Sequence, residues 1–581
     1  QDETERILRV QLEAVHRWSD ALLDYSFSYG RARRDLENDT FIFTTDDVQL
    51  RAGLGDPLRP VFDVIRPGEF FYNTNANPRV PNFDDPAFYG PSGAGFFNIT
   101  ERRAEVIDAE DEIRTLAANY RKQFDGGLVV KVGAKLRQQD KVNARDFVIN
   151  PGFVFSAANS EFERQDGFFN GRQDLGFYPT YASLFRQNPS TARQFAASVL
   201  GGTPSADNRR DSIIQDLEAA EDVLGLYAQV SKTLGRLTLL GGVRWEQTDS
   251  DYRGFTADVT GNPAIDTPRA VRGARTYDGF YPSLHANLSL TDRTLLRFAV
   301  GRTLARPEFQ DLTPSSFATL GVDSDSGATV VNLQRGNAEL NPTQSVNYDL
   351  SLEHYLADGG VVSAAVFHKE LSNWIYRSSF LAPVADFPEY AAIPNLTGVR
   401  VASTLNGDKA SVTGFELNAE KSLGAGFSVG ANYTRLSFDV DREQTGLDRV
   451  PGQSDRLFRA FVSYEAGPFT ARLSYRDSGS ILDSQVSFSD SAAVAYFQGL
   501  GLGQITRPNG SPVVNLGLYE QSPEALDLFA EYAITKNLRF FVQGSNLLRE
   551  NPLATLENDR RFVEKYEYRS WSAVFGLRAN F

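Results

Sequence analysis

Hydrophobic and polar positions alternate along the last segment of the chain. Apolar side chains occupy every second position from Trp571 to Phe581, and the positions between them are mostly small or polar. The alternation is equally clear in 346–353, 427–434 and 526–532. A period of two predicts β-strands. An apolar face opposite a polar face is typical of an outer-membrane β-barrel, with lipid outside and a wet lumen inside.

Tight turns of two to five residues join the alternating segments in pairs. We predict about seventeen strands from this pattern. The predicted strands are 7–16, 21–32, 113–124, 128–138, 222–233, 236–252, 277–290, 294–304, 345–356, 360–376, 411–423, 426–440, 456–465, 469–480, 525–533, 538–548 and 565–581.

Long connections alternate with the tight turns. They span roughly 33–112, 139–221, 253–276, 305–344, 377–410, 441–455, 481–524 and 549–564. In bacterial outer-membrane barrels the short turns face the periplasm and the long loops face outward. Loops of this length are usually functional, so we expect them to form the surface that catches a ligand.

The strand number bears on the extent of the barrel. Single-chain bacterial barrels have an even number of strands, whereas the first and last predicted strands here run in the same direction. We therefore expect 1–581 to be a partial barrel whose first strands lie outside this chain. For a 22-stranded barrel, about five strands are absent.

Composition excludes several classes of protein. The mean hydropathy is −0.33, and no stretch approaches the ~20 apolar residues that a membrane helix needs. The chain has no cysteine, which excludes disulfides, thiolate metal sites and cysteine nucleophiles. A net charge of −15, with no basic face, argues against nucleic acid as a partner.

Motifs for catalysis or metal binding are absent from the sequence. The four histidines are dispersed and show no spacing that would let two of them share a metal. The segment 323–327 resembles part of a calcium loop but lacks the later bidentate glutamate. No nucleophile has a base near it in a recognisable motif. We expect no enzymatic activity, no resident metal and no cofactor.

Several dispersed segments resemble the TonB-dependent outer-membrane receptors, in order and in spacing. They are GRTLARPEF at 301–309, LTP at 312–314, NAELNP at 337–342 with the strand at 345–353, FHKELSNWI at 367–375, TGFE at 413–416, QGSNLL at 543–548 and the terminal Phe581. The first 276 residues are similar only in their strand-and-loop style. The resemblance therefore covers roughly 277–581.

The resemblance implies a receptor of the bacterial outer membrane that imports a scarce solute with energy supplied through TonB. Receptors of this family also carry a plug domain, which we expect to lie outside 1–581. The likeness is to a subgroup linked to carbohydrate uptake, so an oligosaccharide is the first expected ligand. A ferric siderophore is the alternative, and a passive porin-like channel is the second alternative. The implied partners are the TonB complex through the plug, outer-membrane lipids, the small-molecule ligand and, as a further candidate, a surface lipoprotein.

Aromatic residues on the long loops are the main candidates for ligand binding. Aromatic faces suit the apolar faces of sugar rings, and the alternative is that these rings pack the loops or form the interfacial girdle. For Trp374 and Tyr376 the girdle is favoured, and for Arg302 and Arg306 pairing with wall carboxylates is favoured over an anionic ligand. The candidate residues are Phe70, Phe71, Tyr72, Tyr89, Phe168, Phe169, Tyr178, Tyr181, Trp374, Tyr376, Arg302 and Arg306.

Overall fold

Strands dominate the computed structural model. It describes residues 2–45, 49–53, 61–65, 97–151, 169–173, 184–187 and 216–580, the last range without 259, 262–264, 323–327, 442–446, 448, 489–490, 503, 507–512, 522–523 and 567–568. The chain divides into two compact units. The first contains Gln1–Arg6, Ala32–Glu110 and Val142–Asp216, and the second contains Ile7–Arg31, Asp111–Lys141 and Leu217–Phe581.

The described residues form the following elements. The strands are β1 (Asp2–Arg17), β2 (Ala21–Thr45), β3 (Gln49–Gly53), β4 (Val61–Ile65), β5 (Phe97–Gln123), β6 (Leu128–Pro151), β7 (Phe169–Gln173), β8 (Leu184–Gln187), β9 (Leu217–Leu234), β10 (Leu237–Thr256), β11 (Arg269–Thr291), β12 (Thr294–Ala305), β13 (Ser316–Val322), β14 (Thr329–Arg335), β15 (Thr343–Tyr355), β16 (Gly360–Ala382), β17 (Leu396–Gly424), β18 (Phe427–Val440), β19 (Arg456–Ala466), β20 (Phe469–Ser478), β21 (Ser480–Phe488), β22 (Gln504–Thr506), β23 (Val513–Gln521), β24 (Ala525–Ala533), β25 (Leu538–Ser545), β26 (Leu553–Leu556), β27 (Val563–Tyr566) and β28 (Ser572–Ala579). The helices are α1 (Phe309–Leu312) and α2 (Ser491–Gly499), with 3₁₀ turns at Asp125–Gly127, Val384–Asp386 and Pro388–Tyr390. None of the described helices is long and apolar enough to cross a membrane.

One large sheet of nineteen described strands contains the predicted barrel wall. From β9 onward, strands of the wall that follow each other along the chain pair antiparallel, as in β9–β10, β10–β11, β15–β16 and β24–β25. Two of the nineteen, β13 and β14, belong to a long connection, which leaves seventeen wall strands. The predicted number of strands and the all-β antiparallel class are therefore confirmed.

Several predicted strand boundaries are wrong. The strand β2 continues to Thr45 instead of ending at residue 32, and β5 begins at Phe97 instead of residue 113. The predicted single strand 565–581 is instead two strands, β27 and β28. Beyond the membrane both faces of a strand meet water, so the hydrophobic alternation fades while the backbone ladder continues.

Strand β10 shows how the wall is layered. Between the short turn before β10 and Trp245, one face of β10 and its neighbours carries exposed apolar side chains such as Val243. We call this the belt face, and the opposite face, which carries residues such as Thr248, the polar face. After Trp245 along the strand, the belt face carries the polar residues Gln247 and Asp249 instead of apolar ones. A strand that crosses a bilayer needs about 9–11 residues, and β10 has 20, so about half of β10 extends beyond the apolar belt.

The buried hydrophobic clusters lie in these outward extensions and in the long connections. The hairpin of β13 and β14 connects the outward extensions of β10 and β17. Strand β14 pairs parallel with β17, and Ser316 of β13 pairs with Thr256 of β10. One cluster packs around this hairpin. Its members are Ile265, Ala318, Val331, Leu333, Ala382, Phe387, Tyr390, Ile393, Val399 and Val401.

A buried carboxylate, Asp258, contacts this cluster. Its side chain is 2% exposed, and its Oδ2 accepts a hydrogen bond of 3.1 Å from the hydroxyl of Tyr390. Its Oδ1 has no partner within the described part of the chain. Burial is the main reason why the pKa of Asp258 is raised, and Asp266 contributes repulsion. The hydrogen bonds from Tyr390 and from the backbone of Ala318, together with the charge of Arg269, oppose the shift without cancelling it. Charged Asp258 therefore destabilises this cluster at neutral pH.

The substitution Asp258→Asn is expected to stabilise the cluster at pH 7 by ~1 kcal/mol, because it removes a buried charge whose hydrogen bonds are incomplete. Since the folded-state pKa of Asp258 lies above 3.8, wild-type stability should rise as the pH falls through that raised pKa, and the variant should lack this rise. Hydrogen exchange of 316–322 in detergent at several pH values measures the effect.

Asp266→Asn is the matched control. Asp266 Oδ1 accepts bonds from Thr260 N and Oγ1 at 2.7 and 2.8 Å, and its Oδ2 accepts one from Gly261 N at 2.8 Å. Losing an acceptor here should speed exchange instead of slowing it. Equal exchange in the wild type and in the Asp258 variant at pH 7 would contradict the prediction.

Candidate functional site on the polar face of the wall

Arg306 lies at the centre of a charged network on the polar face. It follows the last residue of β12, and its Nη2 donates to Glu246 Oε2 at 2.8 Å and to Thr248 Oγ1 at 3.0 Å. Its Nε lies 3.7 Å from Glu221 Oε2. Burial alone would lower the pKa of Arg306, but the hydrogen bond that it donates to Glu246 and the Coulombic attraction of Tyr277 and Glu221 raise the pKa overall. The guanidinium is therefore a permanent positive charge held by two carboxylates.

The network continues along the polar face to β6 and β5. Glu221, which is 5% exposed, accepts a bond of 3.0 Å from Arg137 Nη1. Arg137 also donates to Gln139, whose Nε2 donates to both carboxylate oxygens of Asp111 at 2.8 and 2.9 Å. Acceptors and donors alternate along this row, so each charge has a partner. Such a row can orient a polar ligand through its exposed edges while it holds neighbouring strands in register.

Asparagine side chains anchor the connection that follows Arg306. Asn341 N donates to Asn406 Oδ1 at 2.8 Å, and Asn406 Nδ2 returns a bond of 3.0 Å to Asn341 O. Asn337 Nδ2 donates to Thr404 O at 3.0 Å, and Thr404 Oγ1 donates to Asp311 Oδ1 at 2.9 Å. These bonds give a structural role to the motif at 337–342, because they tie it to β17.

The eight candidate aromatics of the first two long loops lie outside the part of the chain whose side chains are described. They are Phe70, Phe71, Tyr72, Tyr89, Phe168, Phe169, Tyr178 and Tyr181. Phe169 begins β7, and the description there is limited to the backbone. Their proposed part in ligand binding stays a prediction.

Trp374 and Tyr376 are packed together inside the outward extension of β16. Their ring centroids are 5.1 Å apart, and the side chains are 2% and 6% exposed. Leu447, Leu482 and Tyr519 belong to the same cluster. Gly407 stands opposite Trp374, and a Cβ there would lie 2.5 Å from the indole nitrogen. The favoured girdle position is not observed, because a later part of the chain covers both rings.

Arg302 and Arg306 lie in different environments although they are four residues apart. Arg302 is exposed, and by the alternation of β12 it lies on the belt face above Val300, where it hydrogen-bonds Gln344. Arg306 pairs with Glu246 and Glu221, as the favoured interpretation predicted for it. The same prediction is wrong for Arg302, which bonds a neutral glutamine and no carboxylate among the described residues. The structure therefore does not bring the two arginines to one site. A ligand role for either one stays a prediction.

The sequence analysis missed the carboxylates of this network. Glu221 and Glu246 occupy polar-face positions of β9 and β10, and the alternation of those strands was a usable signal for their direction. The pairing itself was not predictable, since Arg306 reaches them from an irregular connection. Among the described residues, no group of three His, Asp or Glu could hold a metal ion.

Comparison with known families assigns the chain. A model of the family described as "TonB dependent receptor-like, beta-barrel" matches residues 58–547. The chain belongs to this family. Its wall is thus an antiparallel barrel of the outer membrane of Gram-negative bacteria, with the belt face toward lipid and the polar face toward the lumen. No curated protein sequence matches the chain.

Solved structures show the same fold at low sequence identity. The ferric-catecholate import receptor Fiu from E. coli K12 superimposes with a TM-score of 0.56 at 14% identity, covering 99% of this chain and 64% of that one. The copper transporter OprC gives 0.51 at 12%, with 99% and 66% covered. The ferric yersiniabactin receptor FyuA from Yersinia pestis gives 0.50 at 12%, with 100% and 62% covered. The chain thus spans 62% to 66% of the length of these receptors.

Proposed function

We propose that the chain forms the barrel of a receptor that binds a scarce solute at its outward end and imports it with energy supplied through TonB. The family match over 58–547 is the observation that carries this proposal. The long outward extensions and the polar-face network around Arg306 support it, because they provide a hydrogen-bonding surface above the membrane. The proposal includes contact with TonB through a plug domain, and a surface lipoprotein remains a candidate partner.

Uptake in cells tests the proposal. Deleting the gene for this receptor should abolish the high-affinity uptake of its solute, and deleting TonB should have the same effect, because the outer membrane has no energy source of its own. Uptake of a radiolabelled solute at submicromolar concentration measures this. Uptake that persists without TonB would support the passive channel instead.

For the solute, we propose an oligosaccharide as the first class and a ferric siderophore as the second. The aromatic residues of the long loops support the first class, because aromatic faces suit the apolar faces of sugar rings. The named solved structures favour the second class, since Fiu and FyuA are receptors for ferric compounds, but at their identity the likeness is one of fold. Binding assays of the purified receptor with both classes separate them, and tight binding of a ferric siderophore alone would reverse the order.

A further inference from the structure

Two arginines stand directly opposite each other on the polar face of β19 and β20. Arg459 pairs in register with Arg476, and both side chains are exposed. The belt face of the same strands is marked by the exposed Val462 and Leu473, so the alternation directs both arginines toward the lumen. Both lie near the ends of the strands that are remote from the short turn between β19 and β20. A solute entering from outside reaches this end first.

A third arginine extends the cluster. Arg472 lies on the same face, and its guanidinium is 3.8 Å from the ring centroid of Phe461. Its Nε donates to Ser474 Oγ at 3.4 Å. Stacking on a ring occupies the faces of the guanidinium and leaves its N–H edges available for hydrogen bonds. We call Arg459, Arg472 and Arg476 the lumen arginines.

A second arginine pair on neighbouring strands provides the contrast. Arg435 of β18 pairs in register with Arg456 of β19, on the belt face above the membrane. There each charge is neutralised: Arg435 Nη1 lies 3.0 Å from Asp455 Oδ2, and Arg456 Nη2 lies 3.2 Å from Asp477 Oδ1. Like charges directly opposite each other destabilise a sheet, and here two carboxylates remove that repulsion.

The lumen arginines form no such ion pairs within the described residues. The residue opposite Arg459 on β18 is the neutral Asn432. By register, Asp527 lies closest among the carboxylates of the neighbouring strand, opposite Ser474, and its Oδ1 already accepts a bond of 3.0 Å from Asn546 N. Three arginines without ion-paired carboxylates among the described residues therefore lie on the lumen side of β19 and β20, in a chain of net charge −15.

We propose that the lumen arginines bind an oxyanion of the imported solute, a carboxylate or a phosphate. A guanidinium fork matches either group with two parallel hydrogen bonds, and two facing forks hold one anion between them. The repulsion between Arg459 and Arg476 is then relieved when the anion arrives. The inference rests on the proposed uptake function and narrows its solute class. An oligosaccharide ligand would be an acidic one.

Arginine footprinting tests the inference without knowledge of the natural solute. The whole purified receptor in detergent is treated with phenylglyoxal, and the modification of each arginine is followed by mass spectrometry. Arg459 and Arg476 should react at least threefold faster than the ion-paired Arg435 and Arg456. Inorganic phosphate or citrate at 10 mM should protect the first pair at least threefold and leave the second pair unchanged. The two anions show whether a phosphate or a carboxylate is preferred.

Two results of the footprinting experiment would overturn the proposal that the lumen arginines bind an oxyanion. Equal protection of both pairs would mean that the anions act only through ionic strength. If the lumen arginines are already unreactive before an anion is added, carboxylates of the protein itself pair with them in the whole receptor, and their role is structural.

Uptake gives an independent arm. The double variant R459Q/R476Q should reduce uptake of the solute at least tenfold, while the matched control R435Q/R456Q should stay within twofold of the wild type. TonB-dependent uptake that is equally strong in both variants would refute the anionic solute and leave the proposed function intact. Uptake that is independent of TonB in the wild type would refute the proposed function itself.

Discussion

Replacing Trp374 by alanine is expected to loosen the outward extension of β16 and β17 by about 3–5 kcal/mol. The indole is 2% exposed and packs against Tyr376 within a cluster that lies above the membrane belt. Water can fill the space when this layer opens, so the hydrophobic effect acts there in full. Gly407 stands opposite the ring and has no side chain that could fill the cavity.

Hydrogen exchange of the detergent-solubilised receptor measures the loss. Exchange in 480–488 and 514–521 should speed up strongly, because Leu482 and Tyr519 lose their packing partner. The control is Trp18→Ala, since Trp18 is 55% exposed at a short turn and its removal should cost less than 1 kcal/mol. Similar exchange in both variants would show that the cluster does not hold the extension.

The strands that cross the membrane were predictable because lipid and water impose opposite demands on their two faces. The hairpin of β9 and β10 was recognised from such a pattern, and its observed turn between Leu234 and Leu237 agrees with the prediction. The outward continuation of β2, β5 and β17 was not recognised, since no lipid acts on it. The hairpin of β13 and β14 was equally hidden, because its parallel pairing with β17 joins segments that are distant in the sequence.

In the candidate site, too, some features were predictable from the sequence and others were not. The direction of Arg302 toward the belt face follows from its place in β12, but the tight packing of Trp374 depends on residues more than seventy positions later. The neutralised pair Arg435 and Arg456 and the lumen pair Arg459 and Arg476 differ only by which face they occupy and by the acidic residues placed beside them. The register between strands must therefore be known before the partners of a charged residue can be predicted.

Removing the charge of Arg306 is expected to destabilise the polar-face network by about 3 kcal/mol. In Arg306→Gln, Glu246 loses a bond of 2.8 Å and Glu221 loses a charge 3.7 Å away. Glutamine cannot neutralise either carboxylate, and Arg137 and Arg244 retain contact with one carboxylate each. Guanidinium unfolding in detergent, followed by tryptophan fluorescence, gives the change in the free energy of unfolding.

Three further measurements decide whether repulsion between Glu221 and Glu246 is the cause of the lost stability. Arg302→Gln removes the same charge from a residue that bonds the neutral Gln344, so it should change stability by less than 0.5 kcal/mol. The double variant Arg306→Gln/Glu246→Gln should recover part of the loss, because it removes one of the two carboxylates that Arg306 held together. Burial opposes the shift, but the hydrogen bonds from Arg244 and Arg306 hold the pKa of Glu246 below its usual value, so the deficit of the single variant should also shrink as the pH falls to 4 and below. A deficit that is unchanged at pH 4 and in the double variant would assign the loss to side-chain packing, because neither change alters the shape of residue 306.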